Sequence, residues 1–286
     1  LWIDADVVLA IGTRLKYQQM YWGLDDELKI LRIDIDPEEI NRIASPAVGI
    51  VADAKKALSM LIPATEKNKL KRNSRKKELT NLKTEFTHLF EKKIGPQYQY
   101  LKVIREELPE DGIFVDEVTQ VGFASWYAFP TYKSRHFISA GYQGTLGYGF
   151  ATSLGVQAAN PGKKVISISG DGGFLFNLQE MSTAVQYQLN VVAIVFNDGK
   201  YANVQRQQKE WFEGHIIASD LHNPDFVKLA ESFGMFSTRV HSPIELKGVL
   251  RTALKSDQPA LIEVKLDKDF PTPWPFILSS HSRETK

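Results

Sequence analysis

Two short apolar runs near the start of the chain have the pattern of buried parallel strands. The first is Val7–Ile11, which ends at Gly12, and the second covers residues 30–35 and ends at an Asp-Pro pair. Strands covered on both faces read as continuous apolar runs, and residues 38–43 are compatible with a helix. Since two strands are too few for a self-sufficient doubly wound sheet, residues 1–63 are predicted to be part of an α/β domain.

A strongly basic stretch follows this part of the chain. Seven of the twelve residues from 66 to 77 are Lys or Arg, and Leu82, Phe86 and Phe90 then recur at helical spacing. We interpret residues 64–95 as a solvated helical linker, although the basic stretch by itself is also compatible with a nucleic-acid patch.

Beyond Pro96, which is predicted to open a second domain, the pattern alternates between strand-like and helical segments. Strands are predicted at 112–116, 136–139, 165–169 and 191–196. Helices are predicted at 97–108, 120–128, 147–159 and 175–188, and further elements continue to about residue 266. Such alternation is typical of a doubly wound, mostly parallel sheet with helices on both faces, so the predicted fold class is α/β. Residues 96–270 are predicted to form this domain and residues 271–286 a C-terminal tail.

Two further segments carry the signal of a helix start. Ser242, followed by Pro243 and then by Glu245, has the pattern of a capping box with proline at the first helical position. Asn223-Pro224 repeats the combination of a capping residue and a proline. Helices are therefore predicted to begin at both places.

Two carboxylates flanked by glycine follow two of the predicted strands. Asp171 comes after the strand at 165–169, and Asp198 comes after the strand at 191–196. Ligands of such sheets bind beyond the carboxyl ends of the strands, and the crossover helix between these strands makes them neighbours or near neighbours. Two carboxylates brought together there would raise each other's pKa unless a cation lay between them.

The surroundings of these carboxylates favour Mg²⁺ as that cation. The oxygen ligands are hard and have no Cys or His beside them, and Mg²⁺ takes few protein ligands together with phosphate oxygens and water. Gly172 and Gly173 precede a predicted helix, whose free N–H groups and dipole favour an anion. Each glycine-flanked aspartate alone is also an ordinary turn, but the two together predict a diphosphate site with a bound metal.

Composition limits the class of protein and of ligand. The chain has 286 residues, of which 43% are hydrophobic and 24% charged, which is enough for one large domain and part of another. A formal net charge of +1 provides no global field for nucleic acid or an anionic membrane. A small polar ligand is therefore favoured, and neither a nucleic acid nor a membrane is expected as a partner.

The residue types also bear on cellular location. The sequence has no Cys, which excludes disulfides, thiolate nucleophiles and Cys-based zinc sites and fits a reducing cytoplasm. No apolar run approaches the roughly 18 residues of a spanning helix, and no signal peptide opens the chain. Because the first residue is not Met and a strand pattern starts within a few positions, the sequence is predicted to begin inside a domain.

The two glycine-flanked carboxylates resemble a motif of the thiamine-diphosphate enzymes of the acetolactate synthase type. That motif is Gly-Asp-Gly, about two dozen residues, then Asn-Asn, and this chain has Gly-Asp-Gly at 170–172 and Asn-Asp at 197–198. The resemblance covers nearly the whole chain. It implies that Mg²⁺ is bound by Asp171, Asp198 and the backbone oxygen of Lys200. Asp198 departs from the family's usual second Asn and adds a negative charge.

A second segment, residues 139–149, resembles the family's stretch that holds the aminopyrimidine of the cofactor. The match implies that the Gly144 carbonyl accepts a hydrogen bond from the 4′-amino group and that Thr145 contacts the cofactor. It also implies that the Leu146 backbone meets the pyrimidine and that its side chain is the wedge under the bent cofactor. Core packing is an alternative role for Leu146, and one that it could serve at the same time.

Further cofactor contacts follow from the same resemblance. The implied residues are Thr119, Gln120, Gly170, Gly172, Gly173, Asn197 and Tyr201. Asn197 is expected to brace its loop. Residues 115–122 resemble the segment that reaches the diphosphate, with Glu117, Thr119 and Gln120 as weaker candidates. Val121 replaces the His of the family's usual Gln-His pair.

The resemblance extends to domains and assembly. Residues 1–63 are similar to the second half of the family's Rossmann-like central domain, which binds flavin in some members, so FAD stays open. Arg14 could meet such a ligand, although a surface ion pair is the favoured role. In the family a glutamate on an N-terminal domain activates the cofactor across a dimer interface, and that domain is expected to lie outside this sequence. A homodimer or homotetramer is therefore expected.

The leading functional hypothesis is a lyase or carboligase that acts on pyruvate-like 2-oxo acids. Gln207 occupies the position where biosynthetic acetolactate synthases carry a Trp, which argues against that particular activity. A flavin-linked oxidase or an acyltransferase of the same family is one alternative, and a non-catalytic Mg²⁺-diphosphate-binding module is another. Arg206 or Lys209 could hold a substrate carboxylate, and His215 or His222 could shuttle protons, but ordinary surface roles are favoured for all four.

Overall fold

The computed structural model describes residues 2–67 and 73–278. The chain forms two compact units, one comprising the described residues up to Thr80 and from Ile277, and the other Asn81–Phe276. Part of the predicted basic linker, at 68–72, and the predicted tail beyond Leu278 lie outside the described residues. The domain boundaries proposed from the sequence stay predictions.

The first unit contains a three-stranded parallel sheet in the order β1-β2-β3. Its strands are β1 (Val7–Ile11), β2 (Lys29–Asp34) and β3 (Val48–Val51), and its helices are α1 (Lys16–Tyr21), α2 (Pro37–Ile40) and α3 (Ala54–Lys67). The two predicted strands are confirmed, although β1 is not buried as expected, since Val7 and Leu9 are exposed and only Ala10 is buried. The third, Val-Gly-Ile-Val, is apolar in sequence although all four residues are exposed, and it escaped prediction because it is short and contains a glycine.

Local capping determines where α2 begins. The Asp36 side chain accepts a hydrogen bond from the Glu38 backbone N–H, and Pro37 follows at the first helical position. The helix ends at Ile40, earlier than the predicted 38–43. Arg14 forms an ion pair with Glu39, at 3.2 Å, which confirms the ion-pair role favoured from the sequence.

One long helix, α4 (Lys76–Glu107), joins two helices that the sequence pattern separated. Ile94 has non-helical backbone angles, and Pro96 follows within the helix. Proline lacks the N–H that would continue the hydrogen-bond ladder, and its ring clashes with the preceding turn, which accounts for a kink at this place. The kink at Ile94 divides α4 into two helical parts, and the second part agrees with the helix predicted at 97–108.

The second unit is built on a six-stranded parallel sheet in the order β5-β4-β6-β7-β9-β8. The strands are β4 (Ile113–Val115), β5 (Phe137–Ile138), β6 (Val165–Gly170), β7 (Val191–Asn197), β8 (Phe236–Val240) and β9 (Ala260–Lys265). The helices that follow α4 are α5 (Gln120–Ala128), α6 (Tyr148–Ala159), α7 (Asp171–Phe174), α8 (Met181–Gln186), α9 (Ala202–Trp211), α10 (Phe226–Phe233), α11 (Pro243–Lys255) and α12 (Trp274–Leu278). The predicted α/β fold with a parallel sheet is confirmed.

Both faces of this sheet are covered by apolar side chains. On β7, Ile194 belongs to the core on one face, whereas Ala193 and Val195 belong to the core on the other. Successive side chains of a strand point to opposite faces, so a strand buried on both sides has apolar residues at every position. This explains why the run at 191–196 is continuous rather than alternating.

Two predicted helix positions were wrong, each because a side chain makes a different bond. The helix expected at 175–188 is replaced by α7, a 3₁₀ turn at Leu178–Glu180 and α8, since Asn177 leaves the helical conformation and donates to the Gly147 carbonyl. The helix expected after Asn223 begins at Phe226, with Asp225 as its cap. The capping box at Ser242 is confirmed, because its side chain accepts from the Glu245 N–H at 3.3 Å.

No helix in the described ranges combines the length and the apolar character that crossing a membrane requires.

Candidate active site

The two glycine-flanked carboxylates follow strands that are direct neighbours. Strands β6 and β7 pair in parallel, with Gly170 opposite Phe196 at their carboxyl ends. Asp171 and Asp198 therefore leave the sheet side by side, and both line the same cavity of about 230 Å³. The prediction that these strands are neighbours is confirmed.

The cavity brings together most of the residues predicted from the sequence. Those that line it are Thr119, Gln120, Gly144, Leu146, Gly170, Asp171, Gly172, Gly173, Asp198, Lys200 and Tyr201. Two others lie outside its lining. Thr145 is exposed, and Asn197 is buried with its side chain bonded to Glu263 and Asn223, which fits a bracing role rather than a direct contact.

Asp171 is held by a fixed set of donors. Its Oδ1 accepts from the Gly172 N–H at 2.9 Å, and its Oδ2 accepts from the Gly199 N–H at 2.8 Å and from Asn223 Nδ2 at 2.6 Å. The residue is only 2% exposed. Burial raises the pKa of this carboxyl, and the three hydrogen bonds oppose that rise by stabilising the charged form.

Asp198 has fewer compensating partners than Asp171. Burial first, and then the negative charge of Asp171, raise the pKa of Asp198 to about 6, and the charge of Lys200 opposes the rise. A cation between the two carboxylates would remove both the repulsion and the cost of burying the charges. The electrostatics therefore favour a bound cation at this place.

Backbone pairing fixes the loop that contains Lys200. The Tyr201 N–H donates to the Ser219 carbonyl and the Leu221 N–H donates to the Gly199 carbonyl, each at 2.8 Å. The Lys200 ammonium donates to the Lys268 carbonyl. Because the loop is held from both sides, the Lys200 backbone keeps its place at the cavity wall.

The available donor set suits Mg²⁺. Within residues 2–67 and 73–278, no group of three or more His, Cys, Asp or Glu side chains could hold a metal ion. The site instead offers two carboxylates and a backbone oxygen. Mg²⁺ is commonly bound by one or two carboxylates, with water and phosphate oxygens completing its shell, so the residues present fit this ion.

Glycine is required where the chain passes under the cavity. A Cβ at Gly172 would lie 2.3 Å from Tyr201 Cε1, and a Cβ at Gly173 would lie 1.9 Å from Glu117 Oε1. Gln120 adds a buried Oε1 that lacks a hydrogen-bond partner within the described part of the chain. The close-packed glycine backbone leaves room for close approach of a polar ligand such as a diphosphate. The Gln120 oxygen only accepts hydrogen bonds, so its partner would have to be a donor rather than a phosphate oxygen.

Glu117 has a different role from the one considered from the sequence. Its carboxylate accepts from the Gly147 and Gly149 N–H groups, each at 2.8 Å, and from Ser169 Oγ at 2.9 Å. It is 2% exposed and lies outside the cavity lining, so it joins the start of α6 to β6 and fixes the segment that carries Leu146. Burial raises its pKa, and these bonds oppose the rise. The only sequence signal was an acidic residue directly after a buried strand.

The charged residues considered as substrate or proton contacts lie away from the cavity. Arg206 pairs with Glu210, and its guanidinium lies 5.2 Å from the centre of the Trp274 ring. Lys209, His215 and His222 are exposed. None of these four belongs to the lining of the described cavity. Exposure of Lys209, His215 and His222 fits the surface roles favoured from the sequence, whereas the Arg206 side chain is only 12% exposed and is held inside an ion pair.

Comparison with protein families gives matches over both units. Residues 117–264 match the family model described as thiamine pyrophosphate enzyme, C-terminal TPP binding domain. Residues 2–61 match the model for the central domain of the same enzymes. The first match contains every residue that was predicted from the sequence and lines the cavity.

Curated relatives are acetolactate synthases. The chain is 34% identical to a probable acetolactate synthase large subunit from Methanocaldococcus jannaschii, over 92% of this chain and 47% of the relative. It is 28% identical to acetolactate synthase isozyme 1 large subunit from Escherichia coli, over 93% of this chain and 48% of the relative. An acetolactate synthase from Bacillus subtilis is 31% identical, with 92% and 47% covered. The chain thus spans about half the length of the curated relatives it matches.

A solved structure supports the fold. The thiamine diphosphate-dependent 4-hydroxybenzoylformate decarboxylase of Rhodococcus jostii superposes with a TM-score of 0.73 at 24% identity. The match covers 93% of this chain and 50% of that protein. At this level of identity the likeness establishes the architecture alone.

We predict that Gly173→Ala destabilises the protein and weakens ligand binding, because the new methyl group would overlap the Glu117 carboxylate. Overpacking of this kind costs about 1–3 kcal/mol. Gly155→Ala is the matched control, since a Cβ at that helical position meets no atom within 4 Å, and alanine there should raise the free energy of unfolding by up to about 1 kcal/mol. Denaturant unfolding of both variants tests this, and equal stability of the two would contradict it.

We also predict that Asp198→Asn stabilises the metal-free protein near neutral pH. Since the folded-state pKa is raised to about 6 from 3.8, the folded protein binds this proton more tightly than the unfolded chain, and stability falls as pH rises through that window. The variant should exceed wild type by roughly 1–3 kcal/mol in the presence of a chelator. The difference should vanish near pH 4; a difference that is independent of pH would refute the assignment.

Proposed function

Because this chain belongs to the thiamine pyrophosphate enzyme family, we propose that it forms the diphosphate- and metal-binding part of a thiamine-diphosphate- and Mg²⁺-dependent lyase or carboligase acting on pyruvate-like 2-oxo acids. The observation that carries the proposal is the convergence of Asp171 and Asp198 on one cavity floored by Gly172 and Gly173. Two buried carboxylates beside each other are costly unless a cation is shared.

Each part of the cavity has a distinct task in this proposal. Asp171, Asp198 and the Lys200 carbonyl would hold Mg²⁺, while the backbone at Gly172 and Gly173 would lie against the diphosphate. When bound, thiamine diphosphate supplies the electron sink for decarboxylation of a 2-oxo acid. The protein's own contribution is to bind, orient and shield the reacting groups.

Leu146 is placed to shape the bound cofactor. Gly144 and Gly147, on either side of it, have φ angles of 58° and 79°, a backbone conformation that favours glycine. Leu146 Cδ2 lies 3.6 Å from where a Cβ on Gly173 would stand, so the side chain projects over the glycine floor of the cavity. This position supports the wedge role, and the Gly144 carbonyl at the same wall supports the proposed contact with the 4′-amino group.

The remaining wall is apolar and suits a small substrate. Phe123, Ala202, Val204 and Leu266 line the cavity together with the cofactor residues. Such a wall accommodates the short alkyl group of a pyruvate-like acid. Gln207, at the position where a Trp would favour a larger acceptor, lies outside the cavity lining, so the acceptor is left open in this proposal.

The assembly belongs to the proposal as well. Relatives named as large subunits are about twice as long as this chain. We expect a homodimer or homotetramer in which a glutamate from an N-terminal domain completes each site. FAD binding by the first unit and a cytoplasmic location stay predictions.

The proposal is tested with full-length protein, Mg²⁺ and thiamine diphosphate against a panel of 2-oxo acids, with release of CO₂ as the readout. Release from pyruvate or a close homologue supports it. A yellow protein would favour the flavin-linked alternative, and cofactor binding without consumption of any 2-oxo acid would favour the non-catalytic module.

We predict that Asp171→Ala abolishes cofactor retention in the full-length protein, because the diphosphate then lacks the cation that balances its charge. Calorimetric titration with thiamine diphosphate at saturating Mg²⁺ measures the effect. Asp111→Ala, at an exposed position before β4, is the matched control. Asp198→Asn should retain the cofactor, since an amide oxygen can still act as a ligand. Wild-type affinity in Asp171→Ala, or in excess chelator, would be incompatible with the proposed site.

Leu146→Ala is predicted to lower turnover more than cofactor affinity. An interaction that matters mainly on the way to the transition state affects kcat more than binding. If Leu146 only filled the core, its truncation would instead cost about 2–5 kcal/mol of stability and leave the activity per folded molecule unchanged. Melting temperature, cofactor affinity and turnover measured on the same variant separate the two roles.

A further inference from the structure

One amide side chain joins the loops that follow β6 and β7. Asn223 lies in the connection between α9 and α10, and its Nδ2 donates to Asp171 Oδ2 at 2.6 Å and to Asn197 Oδ1 at 3.0 Å. Asp171 stands directly after β6, and Asn197 is the last residue of β7. A single nitrogen, using both of its hydrogens, therefore links the two loops that carry the proposed metal ligands.

The orientation of the Asn223 amide is determined by a series of hydrogen bonds that begins at the buried carboxylate of Glu263. Glu263 is 1% exposed and accepts from Asn197 Nδ2 at 2.7 Å. A carboxylate can only accept, so Asn197 must present its oxygen to Asn223, and Asn223 must present its nitrogen. The nitrogen that faces Asp171 is thereby specified by Glu263, two side chains away.

An arginine extends this series of hydrogen bonds from Glu263 back to the segment that contains Asn223. Arg239 Nε donates to Glu263 Oε2 at 2.7 Å, and its Nη2 donates to Asp225 Oδ1 at 2.9 Å. Asp225 is separated from Asn223 only by Pro224, whose φ is fixed by its ring. The arginine thus anchors the segment that carries Asn223 to the strand that carries Glu263.

The position of the Asn223 amide leaves one of its polar atoms unpaired. Asn223 Oδ1 is buried and has no hydrogen-bond partner within residues 2–67 and 73–278. Rotating the amide by half a turn would place this oxygen against two acceptors, Asp171 Oδ2 and Asn197 Oδ1. The observed orientation is therefore the one that the surroundings enforce.

We propose that Asn223 is a positioning residue that fixes the rotation of the Asp171 carboxylate and the separation of the two metal loops, and so favours Mg²⁺ over the larger Ca²⁺. The inference rests on the proposed function. Mg²⁺ demands near-octahedral ligands at about 2.0–2.1 Å, whereas Ca²⁺ accepts flexible geometry at about 2.3–2.6 Å. A carboxylate free to rotate would lose affinity for the smaller ion first.

The test uses Asn223→Leu and Asn223→Ala in the full-length protein. Leucine nearly preserves the volume without a donor, and alanine removes the contact altogether. Thiamine diphosphate binding is titrated with Mg²⁺ and, separately, with Ca²⁺. Loss of a hydrogen-bond partner of a metal ligand costs about 10–100-fold in metal affinity, so half-saturation by Mg²⁺ should rise at least tenfold, and by Ca²⁺ clearly less.

The matched control is Asn160→Ala. Asn160 is also half-buried and donates one side-chain bond, to the Val156 carbonyl at 2.9 Å, at the end of α6. This variant should lose comparable thermal stability without a change in the ratio of Mg²⁺ to Ca²⁺ affinity. That ratio is the decisive readout, because general destabilisation weakens binding of both ions alike.

The experiment distinguishes failure of this inference from failure of the proposed function. An unchanged ion ratio in both Asn223 variants, or loss of folding in both, would show a structural role and overturn the inference while wild-type binding still supports the proposed function. Wild-type protein that binds thiamine diphosphate without any dependence on a divalent cation would overturn the proposed function and this inference together.

Discussion

The burial of two carboxylates side by side at the ends of β6 and β7 is the constraint on which the rest of the site depends. The pairing of Gly170 with Phe196 places them there, and burial raises the pKa of both despite the opposing charges of Lys265 and Lys200. Asp171 is stabilised by three donors, two of them from other loops, whereas Asp198 depends on the charge of Lys200 and on backbone N–H groups of its own loop. Loop pairing and close backbone packing therefore serve to hold charges that would otherwise move apart.

A third carboxylate, that of Glu117, is buried near the same edge of the sheet and is stabilised by hydrogen bonds alone. Glu117 takes two backbone N–H groups and one hydroxyl, so it is satisfied by hydrogen bonds alone. It also occupies the space that a side chain at position 173 would need. The glycine there serves the packing of Glu117 as well as the approach of a ligand, which the motif itself does not reveal.

Sequence patterns predicted those parts of the structure in which local signals and tertiary packing agree. The strand β7 was found because burial of both faces makes it a long apolar run, whereas β3 was missed because it has only four residues, one of them glycine. Asn223 was predicted to cap a helix, because asparagine is common at such caps. The residue instead bonds to Asp171, and this long-range contact cannot be recognised from the local sequence. The inward turn of Glu117 likewise depends on residues about thirty positions away, which no local pattern encodes.

Asp198 sets the balance between stability and binding. An amide at this position would spare the protein without metal the repulsion between two carboxylates, but a carboxylate attracts a cation more strongly. Anything that binds the folded state alone stabilises it in proportion to its occupancy, so the repulsion is relieved when the ion is bound. In the proposed site, the departure from the family's usual Asn would make folding of this loop more dependent on the cation. The hydrogen bonds that join Asn223 to Asp171 and, through Asn197, to Glu263 and Arg239 would hold the proposed ligands in place without it.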